Sequence, residues 1–191
     1  AISQTPYNLE PTIHKYDAKK MQEVSSVLIY VGLDRVGDAI LKLPFVRGLK
    51  QAFPNAKITW VAGRETSVYA SVMAPLVDGL IDEVIEYAGI GLSPWELFRS
   101  PLGERKFDLI IDTQRVALAS LVLLLRVKHK KLISPFAKFR FSSLKPPVDY
   151  RFPKLMLRQV LDLLEIASGK KFPTPDGIVV DRNRSVRSAP D

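Results

Sequence analysis

A carboxylate, Asp38, lies in a glycine-containing loop that directly follows an apolar segment. The segment "SSVLIYVGLDRVGDAI", residues 25–40, places Gly32 and Gly37 in this loop, with Asp38 directly after the second glycine. The loop matches neither the G-x-G-x-x-G pattern nor the G-x-x-x-x-G-K-[ST] pattern, and Asp38 occupies the position of the lysine in the latter. A carboxylate there competes with an anionic ligand for the free amides and the positive dipole end of the next helix. We therefore do not expect this loop to bind phosphate by itself.

Two roles are open for Asp38. At the start of a helix, where the dipole favours the charged form, its carboxylate could accept a proton from a substrate hydroxyl as a general base. Gly37 would then let the substrate approach the backbone closely. Alternatively, Asp38 caps the helix by accepting hydrogen bonds from free amides, a common role for aspartate.

Alternating β-rich and helical segments predict the elements that position this loop. Apolar runs such as "VLIYV" and "LIID" suit strands that are covered on both faces, as in a parallel sheet. The predicted fold is an α/β, Rossmann-like, doubly wound parallel sheet. The predicted strands are 25–31, 57–62, 82–87, 107–112, 130–134 and 177–180, and the predicted helices are 38–53, 64–75, 93–100, 114–127 and 153–168. Pro44 predicts a kink in the first helix or a helix that starts near it.

In such a sheet, ligands bind outside the carboxyl ends of the strands. The loop "GLDRVGD", which contains Arg35, and the loop "DTQR" after the fourth predicted strand are therefore the first candidates for a site. Arg64 follows the second predicted strand and is a further candidate for contact with an anionic substrate.

Composition narrows the functional classes. The 191 residues carry a net charge of +8, are 47% hydrophobic and contain no cysteine. The absence of cysteine excludes disulfides and thiolate chemistry, and no apolar run reaches the roughly 20 residues that span a bilayer. Neither histidine suggests a metal pair, so we expect no metal and no cofactor. We expect an extension at 1–23, one domain at 24–180 and a tail, or the start of a further domain, at 181–191, in a cytoplasmic protein.

The excess positive charge is concentrated in residues 126–145, which contain seven Lys or Arg and no Asp or Glu. A clustered charge of one sign attracts polyanions, so this stretch could bind an anionic membrane, a phosphorylated glycolipid or nucleic acid, or could simply be a solvated loop. Nucleic acid is the least favoured of these, because aromatic residues suited to base stacking are not interleaved on one predicted sheet face. The candidate anion-binding residues are Lys128, Lys130, Lys131, Lys138 and Arg140.

Two ordered segments resemble a known enzyme family. Residues 27–63, "VLIYVGLDRVGDAILKLPFVRGLKQAFPNAKITWVAG", resemble the opening of glycosyltransferase family 9, the ADP-heptose:lipopolysaccharide heptosyltransferases. That opening has a strand, a loop ending in Gly-Asp, a helix with a Thr-Pro or Leu-Pro step, an "FP-x-A" turn and a second strand. Residues 107–125, "FDLIIDTQRVALASLVLLL", resemble the family's later Asp-Leu-Gln segment and its helix.

The resemblance implies a GT-B architecture, in which two Rossmann-like domains face a cleft. It implies that the acceptor binds the N-terminal domain and that the nucleotide-sugar binds mainly the C-terminal one. Family members are metal-independent, inverting enzymes, and their proposed base maps onto Asp38. Asp112 and Gln114 map onto the family's Asp and Gln, whereas Arg115 replaces a small residue and could contact an acceptor phosphate or lie in solvent.

The expected function is thus that of the acceptor-binding half of a heptosyltransferase-like enzyme. Its expected partners are ADP-heptose or another nucleotide-sugar, bound through a second domain, and a glycolipid acceptor, with peripheral contact to the inner membrane. We also expect the exposed cleft to allow self-association. The alternative is a non-catalytic module that binds an anionic membrane, glycolipid or protein through the basic stretch.

Overall fold

A parallel five-stranded sheet forms the centre of the described part of the chain. The computed structural model describes residues 23–175. The strands are β1 (Ser26–Val31), β2 (Lys57–Ala62), β3 (Glu83–Ile85), β4 (Lys106–Asp112) and β5 (Lys128–Ile133). Their order across the sheet is β3-β2-β1-β4-β5, and every neighbouring pair is parallel. Each strand predicted within these residues is present, while the predicted strand at 177–180 lies outside them.

Helices cover both faces of the sheet, which confirms the doubly wound α/β architecture. Helices α1 (Val36–Ala52) and α3 (Met156–Ser168) share one buried apolar cluster, and α2 (Ala117–Arg126) contributes to the other. Strand β1 supplies side chains alternately to the two clusters, so that Ile29 packs on one face and Leu28 on the other. This two-sided burial explains why β1 is apolar from Val27 to Val31 rather than alternating.

Helix α1 continues through Pro44, where a kink or a helix start was predicted. Proline removes the hydrogen bond that its amide would donate to the carbonyl four residues earlier, which here belongs to Ile40. Ile40 is exposed, so water can reach that part of the helix. The apolar contacts of Phe45, Val46 and Leu49 with the sheet face outweigh the missing bond.

Two predicted helices are wrong in length or type. Residues 64–75 form two short 3₁₀ turns, Val68–Ala70 and Ala74–Leu76, instead of one helix. The Ser67 hydroxyl accepts a hydrogen bond from the Tyr69 amide and donates one to Asp34, so tertiary contacts fix the local conformation. The helix predicted at 93–100 is a 3₁₀ helix, Pro94–Phe98, which is capped by Ser93.

The remaining helices begin a few residues later than predicted. Helix α2 begins at Ala117 because the Asp112 side chain accepts a hydrogen bond from the amide of Gln114 and holds the preceding segment in a turn. Helix α3 begins at Met156 and ends at Gly169, whose φ of 68° is favourable for glycine. The apolar face of α3 packs into the core through Leu157, Leu161 and Leu164.

The direction in which the chain adds strands reverses beside β1. From β1 the chain adds β2 and β3 on one side and later places β4 and β5 on the other. In open α/β sheets this reversal opens a crevice at the carboxyl ends of the two central strands. The loops after β1 and β4 meet there.

Candidate functional site

A cleft of about 490 Å³ lies at the carboxyl ends of β1 and β4. It is formed by the loop after β1, the loop after β4 and the first turns of α1 and α3. Five of the predicted site residues line it: Arg35, Asp38, Arg64, Gln114 and Arg115. The other two predicted residues, Gly37 and Asp112, are not among its lining residues.

Asp38 lies in the first turn of α1, three residues after the N-cap position, which is occupied by Arg35. The Arg35 side chain makes no capping hydrogen bond, and within residues 23–175 no hydrogen bond to the Asp38 side chain is formed. The carboxylate is half-buried and faces the cleft near the positive end of the helix dipole. The capping role considered from the sequence is therefore not the one observed in this conformation.

Gly37 is exposed at the start of the same helix. A Cβ built on it would meet no atom of the described chain within 4 Å. Neighbouring protein atoms thus do not require glycine here, and a ligand could approach this side of the backbone.

A buried polar network behind the cleft was missed from the sequence. Lys42 Nζ forms an ion pair of 2.8 Å with Asp34 Oδ1, and both side chains are at most 5% exposed. Asp34 Oδ2 accepts hydrogen bonds from Trp60 Nε1 at 2.5 Å and from Ser67 Oγ at 3.1 Å. Asp34 therefore joins the loop after β1 to α1, to β2 and to the turn that contains Ser67.

A sequence signal for this network does exist. Lys42 occupies the buried face of α1, in helical register with Ala39, Val46 and Leu49. A lysine at such a position needs a buried counter-ion, because an isolated charge is costly away from water. Trp60 is buried in the core, and its indole nitrogen donates to Asp34 in this network.

Asp112 ends β4 and is fully buried behind the cleft. Its Oδ1 accepts a hydrogen bond from the Gln114 amide at 2.9 Å, and its Oδ2 accepts from the hydroxyls of Ser120 and Ser134 at 2.6 and 2.7 Å. Burial raises the pKa of Asp112 to about 6, although the three hydrogen bonds oppose this shift. In this conformation Asp112 orients two loops around the cleft and does not face its interior.

The loop after β4 brings Gln114 and Arg115 into the cleft. The Thr113 hydroxyl donates a 2.8 Å hydrogen bond to the Tyr30 carbonyl and fixes the loop to β1. The Arg115 guanidinium lies over the Phe152 ring, 4.6 Å from its centroid. This cation–π contact positions Arg115 and leaves its N–H groups available to an anion.

Arg64 and Tyr30 form the opposite wall. Arg64 Nη2 donates a 3.0 Å hydrogen bond to the carbonyl of Gly91, and the Tyr30 hydroxyl donates a 2.9 Å bond to that of Ile90. Burial, and secondarily the charge of Asp112, raise the pKa of Tyr30, so it acts as a neutral hydrogen-bonding group.

The residues that line the cleft carry one carboxylate and several cations. Asp38 is the only acidic residue among them, whereas Arg35, Lys42, Arg64 and Arg115 are basic. Lys42 is already neutralised by Asp34. Such a site can accept a proton from a hydroxyl through Asp38 while the arginines attract a substrate or leaving group of negative charge.

The structure does not gather the predicted anion-binding residues into one surface. Lys128 and Lys130 lie on the edge strand β5 and form ion pairs with Glu104 and Asp108. The hydrogen bond and charge of Asp108 raise the pKa of Lys130. Lys131 is half-buried further along the same strand. Lys138 and Arg140 follow the other end of β5, a strand whose two ends are about 17 Å apart at the usual rise per residue.

A strained turn carries Lys138. Ala137, Lys138 and Phe139 have φ values of 50°, 55° and 61°, in the left-handed region that non-glycine residues rarely adopt. This conformation costs roughly 1–2 kcal/mol per residue. The turn is held by hydrogen bonds between Ser134 and Ser142 on its two sides, and by the buried Phe139 ring, which packs edge-on against Tyr150.

Two further observations concern residues 23–175 as a whole. They include no helix with the length and apolar character needed to cross a membrane. Within the same range, no three His, Asp or Glu side chains form a group that could hold a metal ion.

Comparisons with known proteins add evidence on the fold. No protein-family model and no curated protein sequence matches this chain. Solved structures that match include a family 9 glycosyltransferase from Veillonella parvula, with a TM-score of 0.53 at 18% identity over 87% of this chain. The E. coli heptosyltransferase WaaC with ADP matches with a TM-score of 0.53 at 20% identity over 79% of this chain. WaaC with ADP-2-deoxy-2-fluoro heptose matches with a TM-score of 0.52 at 20% identity over 86%.

The chain spans about half the length of these structures, since it covers 51%, 49% and 55% of them. At identities of 18–20% the matches show a shared fold. The described residues therefore form a glycosyltransferase-like α/β domain that resembles the domains of GT-B enzymes.

Proposed function

We propose that this chain is the acceptor-binding part of an inverting glycosyltransferase in which Asp38 is the general base. The proposed substrates are a nucleotide-sugar donor such as ADP-heptose and a glycolipid acceptor of the lipopolysaccharide core type. An acceptor of this class would place the protein at the cytoplasmic face of the inner membrane as a peripheral protein.

One observation carries the proposal. Asp38 is the only carboxylate among the residues that line the cleft, and no hydrogen bond within residues 23–175 occupies its oxygens. A carboxylate that serves only structure is normally hydrogen-bonded to the backbone or to other side chains, as Asp34 and Asp112 are. Asp38 is instead open to a ligand.

The proposed reaction needs one base and one leaving group. Asp38 would accept the proton of an acceptor hydroxyl as the hydroxyl oxygen attacks the anomeric carbon of the donor. The bond from that carbon to the nucleoside diphosphate breaks, and its electron pair leaves with the diphosphate. Attack from the opposite face inverts the anomeric configuration, and no covalent enzyme intermediate is formed.

The cations of the cleft have a separate role in this proposal. Arg64 and Arg115 lie on opposite sides of the cleft, and each is fixed by one contact, to the Gly91 carbonyl and to the Phe152 ring respectively. Fixed cations stabilise negative charge without reorganising during the reaction. We assign them to the anionic part of the acceptor, with Gln114 and Arg35 as neighbouring hydrogen-bond donors and Gly37 as the point of close approach.

The donor is proposed to bind elements that correspond to the other half of the solved structures. Two of those structures are complexes with ADP or with ADP-2-deoxy-2-fluoro heptose. The 191 residues alone are then expected to bind acceptor but not to transfer sugar, because both substrates must be held together for reaction. The exposed cleft would also favour self-association of the isolated chain.

Glycosyl transfer from ADP-heptose to a deep-rough lipopolysaccharide tests this function. The 191-residue chain and the full-length gene product are compared, each with Asp38→Ala and with Asp78→Ala, an exposed aspartate away from the cleft. We expect transfer by the full-length product and its Asp78→Ala variant only. Transfer by the full-length Asp38→Ala variant at the rate of the unsubstituted protein would overturn the role of Asp38.

A binding module that uses Lys128, Lys130, Lys131, Lys138 and Arg140 is the alternative function. It is less well supported, because two of these lysines already form ion pairs and the set is divided between the two ends of β5. Co-sedimentation with phosphatidylglycerol vesicles distinguishes the two functions. Loss of binding in the Lys128→Glu, Lys130→Glu and Lys131→Glu triple variant, with no transfer activity in any form, would favour the alternative.

A further inference from the structure

A second cavity, here called the lateral cavity, opens beside the Asp38 cleft and has a volume of about 920 Å³. Arg115 and Phe152 line both cavities, so the cation–π pair that they form is the partition between them. The other walls are largely aromatic or proline-rich. They are formed by Phe136, Pro146, Pro147, Val148 and Tyr150.

The charge of the lateral cavity has one sign. Its lining includes Arg115, Lys138 and Lys145 but no acidic residue. None of these three cations forms an ion pair with a carboxylate within residues 23–175, unlike Lys128 and Lys130 on β5. Three unneutralised cations that converge on an apolar space are complementary to an anion with an apolar body.

The local backbone fixes this arrangement. Lys138 is the central residue of the left-handed turn, whose two sides are joined by the Ser134–Ser142 hydrogen bonds. Backbone strain of this kind persists where the surrounding structure enforces it, and it is concentrated at functional sites.

Asp112 connects the two basic loops. One of its oxygens accepts from the Gln114 amide, beside Arg115, and the other accepts from the Ser134 hydroxyl, at the base of the turn that carries Lys138. A single buried carboxylate thus sets the position of cations from both sides of the lateral cavity. Arg115, which is already held over the Phe152 ring, needs little further ordering to bind an anion.

We propose that the lateral cavity is a binding site for an amphipathic anion, a phosphate or carboxylate attached to an apolar body. Lys138 and Lys145 pair with the anionic group, and Phe136 and Tyr150 contact the apolar body. Arg115 contacts the part of the ligand that extends toward the Asp38 cleft. If the proposed function holds, this ligand is the anionic portion of the acceptor lipid, next to the reacting sugar. That identification rests on the proposed function, whereas the anion site itself does not.

Calorimetric titration of the full 191-residue chain with three small probes tests the assignment. The probes are hexyl phosphate, hexanoate and the neutral hexyl glucoside. We expect the two anions to bind and the glucoside not to bind. The anion with the higher affinity shows whether the site prefers phosphate or carboxylate. Equal binding of the glucoside, or no binding of either anion up to 10 mM (about 10⁻² M, a very weak limit for a specific site), would overturn the proposal.

Matched variants locate the bound anion. Lys138→Gln with Lys145→Gln should weaken anion binding about tenfold, whereas Lys106→Gln with Lys154→Gln, which removes the same charge from exposed sites elsewhere, should leave it unchanged. Equal weakening by both double variants would show only a general charge effect and would contradict the assignment.

A further variant separates binding from folding. Lys138→Gly removes the cation but suits the left-handed conformation, so it should weaken anion binding while the thermal midpoint stays the same or rises. Binding should also be unchanged in Asp78→Asn, which removes an exposed charge outside both cavities. These measurements need no sugar donor. A negative binding result would therefore not affect the role of Asp38, and a negative transfer result for Asp38 would not affect the lateral site.

Discussion

The buried pair of Asp34 and Lys42 should be the most sensitive electrostatic contact in the described chain. Lys42→Met keeps most of the side-chain volume but leaves the Asp34 carboxylate buried without a counter-ion. Removal of one partner from a buried ion pair costs about 3–5 kcal/mol, because the remaining charge is neither solvated nor paired. Domains of this kind have unfolding free energies of about 5–15 kcal/mol, so the loss is a large fraction of the total.

Urea unfolding followed by far-ultraviolet circular dichroism measures this cost. Lys130→Met is the matched control, because Lys130 forms an ion pair of the same 2.8 Å length with Asp108 but is 62% exposed. Lys130 lies in water, and Asp108 keeps its hydrogen bonds from the Ser25 amide and hydroxyl when Lys130 is replaced. Lys130→Met should therefore lower the unfolding free energy far less than Lys42→Met.

The double variant Asp34→Asn with Lys42→Met checks the cause of the loss. It removes both charges while the asparagine carbonyl can still accept hydrogen bonds from Trp60 and Ser67. We expect it to be more stable than Lys42→Met alone. A Lys42→Met variant that is no less stable than Lys130→Met would refute the account of Asp34 as a charge that depends on Lys42.

Two more predictions concern buried positions near the cleft. Because the pKa of Asp112 is raised from 3.8 to about 6, the folded state binds this proton more tightly than the unfolded state. The contribution of Asp112 to the unfolding free energy is therefore greatest below pH 3.8 and declines by roughly 3 kcal/mol as the pH rises to about 6. Urea unfolding at pH 7 and pH 4 should show that the parent gains more stability at pH 4 than Asp112→Asn does. The same change in unfolding free energy for both proteins would contradict this prediction. Gly63→Ala should lower the unfolding free energy by about 1–3 kcal/mol, because a Cβ there would lie 2.5 Å from the Ile90 carbonyl oxygen and from the Tyr30 ring. An unchanged thermal midpoint would contradict this prediction and show that the neighbouring atoms move aside at no cost.

Much of the sheet could be predicted because its strands are buried on both faces. Apolar runs such as residues 27–31 and 109–111 must lie between two layers of helices, and this requirement fixes a parallel, doubly wound sheet. The rule that ligands bind at the carboxyl ends of strands then selected the loops that contain Asp38 and Gln114. The structure places both residues in one cleft.

The parts that were missed depend on tertiary partners. Asp34 looks like an ordinary loop residue until α1 brings Lys42 against it and β2 brings Trp60. The turns in place of a helix at 64–75 depend on the same network through Ser67. The basic stretch looked continuous in the sequence, but a strand of extended residues separates Lys128 from Lys138 in space. Helical periodicity indicates that Lys42 is buried, but it does not identify the partner of Lys42.

The most direct test of the central claim is the steady-state rate of glycosyl transfer by the full-length product with Asp38→Asn, beside Asp78→Asn as control. Loss of a general base should lower kcat by about 10²- to 10⁴-fold, while the KM for the acceptor changes little because the amide keeps the shape of the site. The control variant should retain the parent rate. A kcat for Asp38→Asn within about twofold of the parent, a difference far below that of a lost base, would contradict the assignment of Asp38 as the catalytic base.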